Sequence, residues 1–500
     1  MSTQAHDPRT GQAVGAVYQD TDQAQLQSLL ADARAAYPHW SGLSRARRAD
    51  VLDQIAIGLD TATPMLAQIA DTETALGQTR LRGEIERTSA QLRLFARIVR
   101  VGGYLEAILD SADPSATPPR PDLRRMLQPL GPVAVFGASN FPFAYSIIGG
   151  DSASALAAGC PVIAKAHPAQ PGTAAATAAV VHDALRATAV DAGVFAVVYG
   201  QEAGLSLVDH PSIRAVGFTG STSGGRYLFD LAQRRPDPIP FYGELGSVNP
   251  VVILPHAAQR RAVNIARDYA ASLTLSVGQL CTNPGILIAP HALLTALAEA
   301  VSISSGGPML TAAIQQAYQS GTQALAEIAQ HLATGQAGSG EVSPQLYAVS
   351  SQRFLANPAP YLHEHFGPAG LVLSFEDPNE LEAIVAALPG ALTSTLHAEE
   401  DDHPLVTKLL PMLNRLAGRI IWNGWPTGVT VTHATHHGGP WPASTNPLHT
   451  SVGATAIRRW LTPLCYQNYP QSLLPEELRD GNPCAIPRFR DGKAEIPSSA

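Results

Sequence analysis

Apolar residues return every three or four positions between residues 21 and 105: Leu26, Leu29, Leu30 and Ala33 line one face, Val51, Leu52, Ile55 and Leu59 another. That spacing predicts helices with one buried stripe each, packed against a sheet. A proline-rich interval from Pro114 to Pro121 ends this region, and from Arg124 onward the pattern changes. Short apolar runs at Val133–Phe136, Pro161–Ala164, Phe195–Val198 and Ala215–Phe218 alternate with helical stretches, as strands joined by crossover helices do. A second series follows at Val251–Leu254, Ile286–Ile288, Gly370–Leu373 and Ile420–Ile421. Two α/β domains in series are expected. The last roughly forty residues are proline-rich and irregular, and are expected to wrap a neighbouring surface rather than build a core.

A chain of 500 residues exceeds what one core usually organises. A net charge of -8 offers no basic field for a phosphate backbone, which excludes nucleic acid as the expected partner. Asp7, Arg9, Asp20 and Asp22 interrupt the first segment, and no apolar stretch is long enough to span a bilayer, so a cytoplasmic enzyme without membrane contact is expected. Cys160, Cys281, Cys465 and Cys484 are scattered without a C-x-x-C pair, which fits single thiols in a reducing compartment. The lysines are Lys165, Lys408 and Lys493 alone, and Lys165 stands out inside an apolar segment.

Cys281 lies between glycines and a proline in Val277–Gly285, where a tight loop would present the thiol; read locally, a buried structural cysteine is the commoner role. A nucleophilic thiol there would need a neighbouring base or dipole. Glu244 is a lone carboxylate in Pro240–Ser247, and its apolar surroundings predict a raised pKa suited to a general base, with a surface turn as the alternative. Phe218–Gly225 follows a strand and opens a helix, so its amides could face a phosphate. Asn140, before Phe141 and Pro142, could donate to an oxyanion or simply make a turn.

In order and approximate spacing, Asn140, Lys165, the Gly220-Ser221 turn, Glu244, Cys281 and the segment Glu364–Pro368 resemble the signature series of the aldehyde dehydrogenase superfamily, from the N-terminal helices to about Pro440. The resemblance implies an α/β fold with a Rossmann-type cofactor domain (1–108 and 131–245), an α/β catalytic domain (246–445) and oligomerisation segments (109–130 and 446–500) that complete a neighbour's sheet in a homodimer or homotetramer. It implies that Cys281 attacks the aldehyde, that Asn140 and the Cys281 amide hold the oxyanion, and that Glu244 activates the water that hydrolyses the thioester left after hydride transfer. Gly220, Ser221 and Gly225 would approach the cofactor pyrophosphate, Phe218 and Gly204 its adenine side, Glu364 and Phe366 the nicotinamide half, and Lys165 the adenosine ribose.

Many members carry a glutamate three residues after the lysine, where this chain has Pro168. Without that acid no carboxylate grips the ribose, and Lys165 with His167 could pair with a 2′-phosphate, so NADP is expected to be preferred, with NAD possible as well. Phe136–Pro142, Lys165–Pro168, Phe241–Ser247 and Asn423–Val429 resemble the 2,5-dioxopentanoate (α-ketoglutarate semialdehyde) dehydrogenases, a branch that also resembles NADP-dependent fatty aldehyde dehydrogenases. An acidic substrate would need a cationic anchor, for which Arg93, Arg124 and Arg125 are available; each fits a surface salt bridge as well. His433, His436 and His437 match no catalytic zinc spacing, so no metal is expected, and by the resemblance they would line the substrate entrance. A non-catalytic relative and a coenzyme-A-acylating enzyme are the other readings; Cys281, Glu244 and Asn140 argue against the first, and Glu244 against the second.

Overall fold

The computed structural model describes residues 2–497. A hairpin of β1 (Ser2–His6) and β2 (Ala13–Gln19) precedes α1 (Gln23–Gly42), α2 (Arg45–Thr74) and α3 (Gln78–Val101). Asp22 and Gln25 form a reciprocal capping box that starts α1, and Ser44 accepts the Arg47 amide to start α2. Strands β3 (Ala107–Asp110) and β4 (Leu123–Pro129) flank the proline-rich interval.

The first α/β unit runs β5 (Val133–Phe136), α4 (Gly150–Ala158), β6 (Val162–Lys165), α5 (Pro171–Ala187), β7 (Phe195–Val198), α6 (Gln201–Asp209), β8 (Val216–Thr219), α7 (Thr222–Arg234) and β9 (Phe241–Glu244). Its sheet is parallel throughout, in the order β7-β6-β5-β8-β9. Leu52, Ile55, Leu59 and Phe95 of α2 and α3 pack on Val133, Val135 and Val162, while Leu26, Leu30 and Ala33 of α1 pack on Ala134, Ile163 and Val216. Alternate residues therefore bury on opposite faces, which is why these strands read as unbroken apolar runs. Chain order reverses beside β5, and a crevice opens there at the carboxyl ends of the strands.

The second sheet comprises β10 (Val251–Ile253), β11 (Ile286–Pro290), β12 (Gln330–Thr334), β13 (Gln345–Ser350), β14 (Ala369–Phe375), β15 (Ala391–His397) and β16 (Ala417–Trp422), with α8 (Pro255–Thr274) crossing from β10 toward β11. Its order is β12-β13-β14-β11-β10-β15-β16, and only β12 runs antiparallel to its neighbour. The sequence pattern anticipated neither β9, β12, β13 nor β15. The last hides its strand because buried Thr393, Ser394 and Thr395 interrupt the apolar run, Thr393 being satisfied by Asn249 at 3.1 Å.

The C-terminal stretch departs from expectation. Its strands β17 (Leu461–Gln467), β18 (Arg488–Arg490) and β19 (Lys493–Glu495) join β3 and β4 of the same chain in the order β17-β4-β3-β18-β19. Trp460, Leu474, Leu478 and Ile486 enter the same core as α2 and α3. Single apolar anchors separated by prolines leave no periodicity to read, yet each fills a hole. No helix of the described residues is long and apolar enough to cross a membrane.

Candidate active site

Beyond α8 the backbone turns left-handed three times in succession, at Ser276, Val277 and Gly278, with φ of 55°, 56° and 64°. For β-branched Val277 that conformation costs about 1–2 kcal/mol, so the surroundings must hold it in place. They do so from both sides. The Asn249 amide donates to the carbonyls of Cys281 and Asn283 at 2.8 and 2.9 Å, and the Asn283 amide donates to the Gly367 carbonyl at 3.1 Å. A Cβ on Gly278 would stand 2.3 Å from that same carbonyl oxygen. Gly278→Ala is therefore expected to lower stability by about 2–3 kcal/mol, read as a fall in urea midpoint at unchanged m-value, and to lower activity with it.

This loop brings Cys281 to Glu244, the last residue of β9, and to His437; their ligating atoms all lie within 4.8 Å of one another. His437 is buried and donates from Nε2 to Glu244 Oε1 at 2.8 Å, because a carboxylate oxygen only accepts. The same nitrogen lies 3.5 Å from Cys281 Sγ, and the Ser451 hydroxyl donates to the other Glu244 oxygen. A tetrahedral cation would keep nitrogen and oxygen ligands about 3.3 Å apart, so the closer 2.8 Å contact marks a hydrogen bond rather than a vacant metal site.

The electrostatics reverse one expectation. Burial pushes the Glu244 carboxyl up, but His437, Ser451 and Cys281 outweigh it and hold the group below the ordinary carboxylate range. Burial, Glu244 and Glu364 instead push the Cys281 thiol well above its usual value, with Arg87 opposing them. At neutral pH the proton therefore sits on sulfur and the charge on Glu244, a donor and acceptor pair ready for transfer. Asn140 is buried at the same place, its amide donating to the Gln279 carbonyl at 3.0 Å while Arg80 fixes its backbone carbonyl at 2.6 Å.

A cavity of about 810 Å³ reaches from Cys281, Glu244 and Asn140 past Glu364 and Phe366 to Gly220 and Ser221. It continues, through His167, Thr219, Gly220 and Ser221, into a second of about 580 Å³ lined by Lys165, Gly204, Phe218 and Gly224. Ser221 caps α7 by accepting the Gly224 amide, leaving the helix start open to the cleft. Glu364 accepts the Ser247 amide, and burial pushes it up to about 7.

Several expectations need correction. Gly225 lines neither cavity; it is buried where a Cβ would stand 2.2 Å from Leu245, so it serves close packing of α7. His167 is held neutral, near 3, by burial and by Lys165, and can offer a 2′-phosphate a hydrogen bond but no charge. A carboxylate does stand beside Lys165: Asp20, just after β2, lines the second cavity and raises the Lys165 ammonium against the effect of its burial. Arg93 pairs with Asp60, Arg124 with Asp122 and Asp480, and Arg125 lies between β3 and β17, all outside the cleft. His433 is exposed and His436 half-buried, whereas His437 is buried against Glu244 and Cys281. Local sequence held no signal that separated these three histidines, nor any that linked Asp20 or Asn249 to the site.

Comparison with known proteins adds a separate line of evidence. A family model described as "Aldehyde dehydrogenase family" matches residues 1–441. Over 98% of its length the chain is 47% identical to alpha-ketoglutaric semialdehyde dehydrogenase 2 of Azospirillum brasilense, of which it covers 96%. It is 42% identical to the alpha-ketoglutaric semialdehyde dehydrogenase of Acinetobacter baylyi, over 94% of this chain and 92% of that one. A solved structure of an aldehyde dehydrogenase C mutant from Pseudomonas syringae, complexed with NAD+ and octanal, superposes with a TM-score of 0.80 at 22% identity, covering 94% of each chain. The 1-pyrroline-5-carboxylate dehydrogenase from Thermus with bound NAD follows at 0.78 and 21%, covering 93% of this chain and 90% of that one. At such identities the likeness is one of fold.

Proposed function

The chain belongs to the aldehyde dehydrogenase family, and from that premise we propose that it oxidises 2,5-dioxopentanoate to 2-oxoglutarate, with Cys281 as nucleophile and Glu244 as base. The observation that carries the chemistry is the cluster of Cys281, Glu244 and His437 at one end of two joined cavities of about 810 and 580 Å³. The substrate rests on the two relatives of that printed specificity, matched over nearly their whole length.

As Cys281 attacks the aldehyde carbon, Glu244 takes the thiol proton, and the second Asn140 amide hydrogen with the Cys281 backbone amide receives the developing oxyanion. A nicotinamide cofactor held along Lys165, Gly220, Ser221, Glu364 and Phe366 would supply the hydride acceptor needed for the thiohemiacetal on Cys281 to become a thioester. Glu244 passes on its proton, then withdraws one from the water that hydrolyses the thioester, releasing the carboxylate and restoring the thiol. His437 and Ser451 keep Glu244 ionised for both turns of duty.

The cleft fits such a cofactor. Lys165 makes no hydrogen bond or salt bridge among the described residues, so its ammonium is free for ribose or phosphate, and Gly204, Phe218, Gly220 and Ser221 line the same channel. Glu364 and Phe366 would take the nicotinamide half. We read the enzyme as accepting NADP through Lys165 and His167, with NAD also used because Asp20 opposes a 2′-phosphate. Residues 1–108 and 131–245 would hold the cofactor, 246–445 carry the thiol, and 109–130 with 446–500 form the oligomer contact of a homodimer or homotetramer, the free edge of β17 being a strand that needs cover. Four free thiols favour the cytoplasm.

Steady-state kcat/KM for 2,5-dioxopentanoate, hexanal and decanal, each with NADP and NAD, tests the reading. The acidic aldehyde is expected to lead by at least about tenfold; a lead for decanal would replace the substrate and leave the mechanism standing. In the same assay Asp20→Asn is expected to shift the NADP-to-NAD ratio toward NADP by about fivefold, and an unmoved ratio would remove Asp20 from the ribose site.

A further inference from the structure

An acidic aldehyde brings a carboxylate into the cleft, and the three arginines that the sequence offered for it, Arg93, Arg124 and Arg125, lie outside that cleft. We propose that Arg87, on the inner face of α3, is the guanidinium that binds the substrate carboxylate and so sets specificity for an acidic aldehyde; this rests on the substrate reading above. The position follows from a short chain of contacts. The Arg87 guanidinium lies 5.2 Å from the Tyr145 ring centroid and 5.8 Å from that of Phe141, the residue after Asn140, and donates to the Tyr145 hydroxyl at 3.2 Å. The Tyr145 ring in turn stands 6.1 Å from the His437 imidazole, whose Nε2 is 3.5 Å from Cys281 Sγ. The cation is thus two side chains from the thiol, against the apolar cluster of Phe141, Tyr145, Val429 and Val452, which adjoins Asn140 at the thiol end of the cavity and lies apart from Gly220 and Ser221.

What marks it as unfinished is its lack of partners. A guanidinium has five donors, and within the described residues Arg87 uses one, while its Nε is buried with no acceptor. No described carboxylate lies within salt-bridge distance. Glu84, one turn earlier, commits Oε1 to the amides of Phe143 and Ala144 at 2.8 and 2.9 Å. A largely enclosed charge without a counter-ion costs stability unless something else pairs with it, and a substrate carboxylate would do so with the bidentate geometry that arginine offers. Of the neighbouring arginines, Arg80 spends its hydrogen bond on the Asn140 backbone carbonyl and Arg419 spends two on the carbonyls of Pro426 and Gly428, whereas Arg87 spends its one on a hydroxyl. Arg87 also offsets Glu244 and Glu364 at the thiol, so an anionic substrate enters a field that Arg87 partly neutralises.

The test is the ratio of kcat/KM for 2,5-dioxopentanoate to that for hexanal, which cancels any effect on the thiol or on folding common to both substrates. Arg87→Gln is expected to lower the ratio about thirtyfold, mainly through KM for the acid, with hexanal within about threefold of the parent enzyme. Arg87→Lys, which keeps the charge without the fork, is expected to recover part of the loss, and competitive inhibition by glutarate is expected to weaken in step. Equal losses for both aldehydes, or a ratio that does not move, would overturn the assignment. The substrate reading fails separately, if the parent enzyme itself prefers hexanal.

Discussion

Glu244→Gln is expected to give one burst of reduced cofactor per active site and then to stall, with kcat lowered on the order of 10³-fold. Glutamine keeps the shape and can still accept a hydrogen bond from His437 Nε2, but it takes no proton from water, so the thioester accumulates; the thiol, no longer raised by the Glu244 charge, loses its proton to solvent and still acylates. The charge lost with the carboxylate is one of the groups that push the Cys281 thiol up, second to burial. Thiol alkylation by iodoacetamide at neutral pH should therefore not slow in the variant, although turnover does. Rapid mixing with acid quench separates the two steps. Near-parental turnover without a burst would mean that another group activates the water; slowed alkylation together with lost turnover would mean that Glu244 serves the thiol alone.

His437→Leu is expected to cost on the order of 10² in kcat at neutral pH and to move the acid limb of the pH profile toward alkaline values. The sign follows from the balance at Glu244. Burial alone raises that carboxyl, and His437 is the largest of the influences that lower it. Removing the imidazole leaves burial less opposed, the carboxylate takes up a proton at higher pH than before, and the fraction of ionised base at neutrality falls. His437→Gln retains a donor for Glu244 and is expected to restore part of the rate and to bring the limb back. A structural role alone would lower kcat evenly across pH without moving the limb. The imidazole thus acts as a positioning residue, holding the base ionised, and its Nδ1, buried without a partner, leaves it no second anchor in the described structure.

Motif order pointed to Cys281, Glu244 and Asn140, and these three meet at one place because each lies at the end of an element in a doubly wound frame: Glu244 ends β9, Asn140 follows β5, and Cys281 precedes β11. The raised pKa expected for Glu244 was argued from apolar neighbours in sequence, and the folded chain reverses it with a histidine 193 positions away. Arg93, Arg124 and Arg125 are as available in the sequence as Arg87, but of these four only Arg87 lies against Phe141 and Tyr145 among the described residues.

Periodicity and composition by themselves determined the helical N-terminal block, two parallel-sheet units and a chain without a basic face, because burial on one or both faces writes a period of 3.6 or an unbroken apolar run into neighbouring positions. The order of the motifs determined the family resemblance, and with it Cys281 as the candidate nucleophile. Only the tertiary structure decided which histidine meets Cys281 and Glu244, that Asp20 lines the same cavity as Lys165, that the proline-rich tail packs into its own chain's core, and that Arg87 has no carboxylate partner among the described residues. The reason is common to all four. Charge pairing and hydrogen bonding depend on distances of a few ångströms between residues far apart along the chain, and a single sequence records no such distances.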